Sequence, residues 1–121
     1  MIRGFMKLDD CLFCKIINND IPVNIVDQTE HVLAFHDINP QAPIHVLIIP
    51  KDHISSSQHF NDENVHYLSK MALLANKVSD IKKISKNGYR WVINTGDHGG
   101  QTVDHIHLHL LGGRNMSWPP G

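Results

Sequence analysis

The sequence predicts an α+β domain built on an antiparallel sheet. Three observations carry that expectation. A short helical pattern opens the chain, three strand-like runs precede one long helical pattern, and two more strand-like runs close it. The strand–helix–strand alternation that would build a parallel sheet is missing. With 121 residues the chain suits one domain with one core.

Residues 1–9 read as a loose N-terminal extension ahead of a domain over 10–121. Residues 11–18 place Leu12, Phe13, Ile16 and Ile17 at helical spacing, with Asp9 or Asp10 as the expected cap and Pro22 as the limit. Residues 25–28 and 31–36 are strand-like, and the polar Thr29-Glu30 between them suggests a hairpin. Pro40 and Pro43 make 39–43 a loop. Residues 45–49 (HVLII) form a buried strand stopped by Pro50. The longest helix is expected over 62–83, with Val65, Leu68, Ala72, Ala75, Val78 and Ile81 on its core face. Asn61 or Asp62 would cap it, and Lys82 and Lys83 suit its C-terminal dipole. Residues 89–94 are a strand, the glycine-rich stretch to Gln101 is a loop, and a last strand ends at Gly112-Gly113.

Hydrophobic content of 41% and charged content of 19% describe an ordinary soluble globular protein. A formal net charge of −1 supplies no field that would draw it onto nucleic acid or an anionic membrane. Residues 1–10 lack a signal-peptide core and there is no apolar run of membrane-spanning length, so the expected compartment is the cytoplasm. The two cysteines stand as Cys11-x-x-Cys14, too sparse for a disulfide scaffold and suited to metal or redox work.

The chemistry is concentrated in His105-Ile106-His107-Leu108-His109-Leu110-Leu111. In an extended strand Ile106, Leu108 and Leu110 enter a core while the three imidazoles share the other face, roughly 6.7 Å apart. Imidazole holds or transfers a proton near neutral pH and can attack an electrophile. Polar residues on the outer face of a half-buried strand would be the plainer reading, yet the chain holds ten histidines, several of them clustered here.

Together with GGQTV before it, GGRNMSWPPG after it and FHDINPQAPIHVLIIPKDH upstream, this motif resembles the histidine triad (HIT) family, most closely its HINT branch of nucleotide-binding phosphoramidases. The resemblance runs from about Asp10 to Gly121. It implies a mostly antiparallel five-stranded sheet with one short and one long helix, joined to a second copy in a homodimer. It also implies hydrolysis of purine nucleoside 5′-phosphoramidates through a nucleotidyl-histidine. By motif position His107 is the nucleophile, with His45 supporting it. His109, Thr102 and Asn94 surround the phosphate and leaving group, and backbone N–H groups of Gly100, Gln101 and Thr102 are the anion donors. Asp37 matches the carboxylate that accepts from the ribose hydroxyls. Leu12, Phe13, Ile16, Phe35, His36 and Ile38 match the apolar wall around a purine such as that of AMP or GMP. Trp118 would reach the partner's leaving-group side. Family members that keep the cysteine pair hold a structural zinc on Cys11, Cys14, His53 and His105, with no catalytic metal expected. The rival readings are a diadenosine polyphosphate hydrolase of the same family, a catalytic metal on the three triad histidines, and a non-catalytic nucleotide-binding partner of another protein.

Overall fold

A computed structural model describes residues 8–121. Residues 1–7, most of the expected N-terminal extension, lie outside the described residues. The elements are α1 (Leu12–Ile17), β1 (Ile25–Gln28), β2 (Val32–His36), β3 (Ile44–Pro50), α2 (His66–Ile81), β4 (Tyr89–Val92), α3 (Gly96–Gly99) and β5 (Leu108–Gly112), with a 3-10 turn at Ser57–His59. The strands form one five-stranded sheet in the order β1-β2-β3-β5-β4, and each neighbouring pair is antiparallel. The expected α+β architecture is therefore present. Among the described residues no helix is long and apolar enough to cross a membrane.

Successive side chains in β2 and β3 point to opposite faces, and both faces are covered. Val32, Ala34, Val46 and Ile48 join Leu108 and Leu110 against Met71, Leu74, Ala75 and Val78 of α2. On the other face Leu33, Phe35, Leu47 and Ile49 pack with Phe13, Cys14 and Ile16 of α1. This is why β2 and β3 read as continuous apolar runs rather than alternating ones. His45 shares the parity of Leu47 and Ile49, and His109 pairs with Leu47, so both imidazoles emerge on the α1 face.

Several local expectations need correction. Helix α2 starts at His66, because Asn61 Oδ1 accepts from the N–H groups of Glu63 and Asn64 and closes a separate turn first. Its core face is Tyr67, Met71, Leu74, Ala75, Val78 and Ser79. Val65, Leu68 and Ile81 are exposed instead, because the larger Tyr67, Met71 and Leu74 fill the core side, where the Tyr67 hydroxyl donates to Asp52 at 2.6 Å. Lys82 and Lys83 lie past its end, Lys83 with a left-handed φ of 60°. The cap of α1 is neither Asp9 nor Asp10 but Cys11, whose Sγ accepts from the Cys14 N–H. Strand β3 includes Pro50, which closes the ladder opposite Val32. Within the glycine-rich loop, α3 adds a helical turn that ends on Gly100 at φ 81°.

Candidate active site and metal centre

Paired strand begins only at Leu108, so His105 and His107 precede the ladder. The chain there is held by the Ile106 N–H, which donates to the Ile54 carbonyl at 2.7 Å. Side-chain direction still alternates as an extended segment requires: Ile106, Leu108 and Leu110 enter the core. The imidazoles face α1, with His105 and His107 buried as well. Phe13 meets both rings edge-on, at 5.1 Å from His107 and 5.8 Å from His105.

Hydrogen bonds assign a tautomer to each imidazole. His107 Nδ1 lies 2.8 Å from the His105 carbonyl, an acceptor only, so Nδ1 carries the proton and Nε2 keeps its lone pair. His105 Nε2 donates in the same way to the Pro50 carbonyl at 2.8 Å, leaving the lone pair on Nδ1. For His109 the assignment passes through His45. The Gln41 N–H donates to His45 Nδ1 at 3.0 Å, so His45 carries its proton on Nε2 and donates to His109 Nδ1 at 2.8 Å. His109 then presents Nε2–H as a donor.

The environment keeps these rings neutral. Burial lowers the pKa of His107, against the opposing effects of the His105 carbonyl and the Asp37 carboxylate. Burial, with His107 and His45 as like-charged neighbours, pushes His109 down to about 4. Burial likewise lowers His45, although Asp37 Oδ2 stands 3.4 Å from its Nε2 and pulls the other way. Asp37, His45 and His109 bring three ligand-type atoms within 4.8 Å of one another, which is metal-like spacing. The Gln41 N–H aimed at His45 Nδ1 keeps the proton on Nε2, so this trio is a hydrogen-bond relay rather than a cation site.

A cavity of about 270 Å³ opens on this face. Leu12, Phe13 and Ile16 from α1, Phe35 and His36 from β2, Asp37 and Ile38 beyond it, and Thr102, His107 and His109 all line it. Asp37 is braced by the Asn39 N–H, which donates to Oδ1 at 2.8 Å. Ile21, Pro22, Val23, Leu47 and Val103 complete the wall and were not singled out from the sequence. The apolar Ile21-Pro22-Val23 run, set off from α1 by the polar Asn18-Asn19-Asp20, was the available signal. Other expected residues lie elsewhere. Asn94 borders a separate cavity with the C-terminal residues, and Trp118 is 83% exposed. The Gly100 and Gln101 N–H groups donate within their own loop, to the carbonyls of Asp97 and Gly96. The Gln101 side chain braces that loop against Ser55 and Val103.

Behind His105 lies a second centre. Cys11 Sγ is 3.4 Å from His105 Nδ1, and Cys14 Sγ is 3.6 Å from His105 Nδ1 and 3.4 Å from His53 Nδ1. Tetrahedral zinc bound by thiolate and imidazole separates its sulfur and nitrogen ligands by roughly 3.5 Å, the spacing implied by ordinary bond lengths. Both imidazoles suit that role: burial lowers His53, and His105 sits at about 4, chiefly through burial. The Leu8 N–H donates to Cys14 Sγ, as backbone donors do to metal-bound thiolates. Cys11, Cys14, His53 and His105 therefore fit a closed, structural zinc centre with two sulfur and two nitrogen ligands. Such an ion would tie α1 to the triad segment.

Comparison with known proteins agrees with this arrangement. A family model described as the HIT domain matches residues 18–116. A 14 kDa zinc-binding protein of Zea mays is 47% identical over 119 residues, spanning 95% of this chain and 92% of that protein. The crystal structure of a HIT family hydrolase from Legionella pneumophila superposes with a TM-score of 0.90 at 50% identity, over 93% of this chain and all of that one. A histidine triad nucleotide-binding protein from Candida albicans gives a TM-score of 0.78 at 35% identity, over 91% and 83% of the two chains. In sequence, sheet topology and the placement of its histidines, the chain belongs to the HIT family.

Proposed function

We propose that this protein hydrolyses purine nucleoside 5′-phosphoramidates, of the AMP–amine type, through a covalent nucleotidyl-histidine on His107. The observation that carries the reading is the 2.8 Å contact between His107 Nδ1 and the His105 carbonyl. It holds the buried ring in the one neutral tautomer whose Nε2 lone pair is available to attack phosphorus. The P–N bond then breaks and the amine leaves, taking one proton from solvent. Water attacks phosphorus next and returns one proton to solvent, the bond to Nε2 breaks, and the nucleoside monophosphate departs as the imidazole recovers its lone pair. His109 Nε2–H, set by the relay from Gln41 through His45, is a preorganised donor to the phosphoryl group. Donors of this kind are worth about 3 kcal/mol each in the transition state. Thr102, also on the cavity wall, adds a hydroxyl. The test is incubation with an AMP–amine conjugate, rapid quench and mass spectrometry. An AMP adduct on His107 supports the reading; turnover without an adduct on any histidine overturns it.

Apolar walls from α1 and β2 suit a flat purine, and Asp37 at the rim suits a ribose. Asp37→Ala is expected to weaken AMP binding about ten- to a hundredfold, the range for hydrogen bonds to a charged group. The loss for 2′-deoxy-AMP should be smaller, because one hydroxyl is already missing. Equal losses in a calorimetric titration would remove the ribose role.

An ordinary histidine, with a pKa near 6.5, would lose half its activity at that pH. Burial moves both His107 and His109 below it. Only the neutral imidazoles serve the mechanism, so kcat/KM should stay level as pH falls through 6.5 and decline only at lower pH. A midpoint at or above 6.5 in the pH–rate profile would contradict the assignment.

A homodimer and a contribution of Trp118 to the partner's site belong to the same proposal. The features that favour them are the sheet edge at β4, the exposed Trp91 on that strand and the exposed Trp118. The Arg90 guanidinium holds the tail by donating to the Ser117 carbonyl at 2.9 Å.

A further inference from the structure

We infer that the Cys11–Cys14–His53–His105 centre is energetically coupled to the nucleotide cavity, so that metal binding and nucleotide binding strengthen each other. This rests on the phosphoramidase reading above, since it takes the 270 Å³ cavity to be the nucleotide site. One residue serves both centres. The His105 ring offers Nδ1 to the two thiols, while its own carbonyl accepts the Nδ1–H of His107. The ring cannot turn away freely, because its Nε2–H is bound to the Pro50 carbonyl.

Helix α1 is the second link. Cys11 caps it and Cys14 sits in its first turn, while Leu12, Phe13 and Ile16 of the same helix form one wall of the cavity. The helix is six residues long, far too short to hold its shape or place without tertiary ties. A thiol set against a neutral imidazole at 3.4–3.6 Å is a weak tie, whereas metal coordination is a strong one. An ion bound at these four ligands would fix the α1 wall and the edge of Phe13 relative to His107. Nucleotide filling the cavity would clamp the same wall from the other side. Coupling of this kind is reciprocal, so each ligand must raise the affinity of the other by one factor.

The test is calorimetric titration of AMP into zinc-loaded protein and into protein stripped by chelator, with circular dichroism confirming that both are folded. We expect AMP to bind about tenfold more tightly to the zinc form, within the usual range of allosteric coupling. Zinc affinity should rise by the same factor at saturating AMP. Equal AMP affinities in two folded forms would overturn the coupling and leave the phosphoramidase reading intact. A zinc form that binds no AMP would overturn both. Where stripping unfolds the protein, cadmium-substituted protein gives the answer by cadmium NMR. The coupled centre should shift its resonance on AMP addition, and an unmoved resonance at saturation would overturn the inference. His53→Asn adds a route that keeps the sequence of α1 and His105 and removes the His53 contacts to Cys14 Sγ and the His105 ring: it should weaken metal binding and, at limiting zinc, AMP binding with it. AMP affinity that stays constant as zinc leaves this variant would overturn the inference too.

Discussion

His107→Ala is expected to lower phosphoramidate turnover by on the order of 10⁴-fold or more and to abolish the AMP adduct, the usual outcome when a covalent nucleophile is deleted. AMP binding should change little by comparison, because the apolar wall and Asp37 remain. The size of the effect follows from the geometry. Neither neighbouring imidazole can replace the lost lone pair. His109 Nδ1 is occupied by His45 and its Nε2 carries the proton, while the lone pair of His105 points away, toward Cys11 and Cys14. The Asp37 carboxylate is held by the Asn39 amide and stands beside His45. Folding is a fair concern for a buried residue touching Phe13, so His107→Gln, which keeps most of the volume, should be measured alongside. Both variants should be inactive while melting as cooperative folds. Residual turnover within a hundredfold of the parent in either one would place the nucleophile elsewhere.

Much of this was legible in the sequence because it depends on local pattern. The apolar positions 106, 108 and 110 reached the core as alternation requires, even though ladder pairing starts only at Leu108. The continuous apolar run of residues 45–49 reported the burial of β3. The residues expected around a base, drawn from α1 and β2, do share one cavity with His107 and His109.

What was not legible depends on single long-range or backbone contacts. The sequence of α2 carries two apolar stripes about one residue apart, and the one that enters the core includes Tyr67, whose hydroxyl finds Asp52 far off in sequence. A thiol is not a usual helix cap, so Cys11 could not compete on paper with Asp9 or Asp10. The relay through His45 starts from the amide of Gln41, and no side-chain pattern announces which amide will face an imidazole. Asn94 and Trp118 show the limit from the other direction. Their assignments rest on motif position, and in this chain neither lines the cavity that holds His107.

Cys14→Ser is expected to erase the response of thermal stability to zinc. With zinc a thousandfold above its Kd, binding to the folded state alone adds about 4 kcal/mol. For a domain of this size that raises Tm by about 15 °C over chelated protein. His105 is set to receive the ion, because its Nε2–H is bound to the Pro50 carbonyl and its Nδ1 lone pair faces the two cysteine sulfurs. Serine keeps the size roughly and offers a hydroxyl, but a neutral oxygen is a poor substitute for thiolate sulfur toward zinc. The variant should therefore melt at one temperature with zinc or chelator, close to that of the chelated parent. The alternative has a different signature. Cys14 is buried in the cluster that packs α1 against the sheet, so it could serve simply as a small apolar group. Serine would then cost the same stability under both conditions, and the parent would show no zinc-dependent rise. Parallel melting shifts would return Cys11 and Cys14 to plain packing, and with them the claim that an ion ties α1 to the triad.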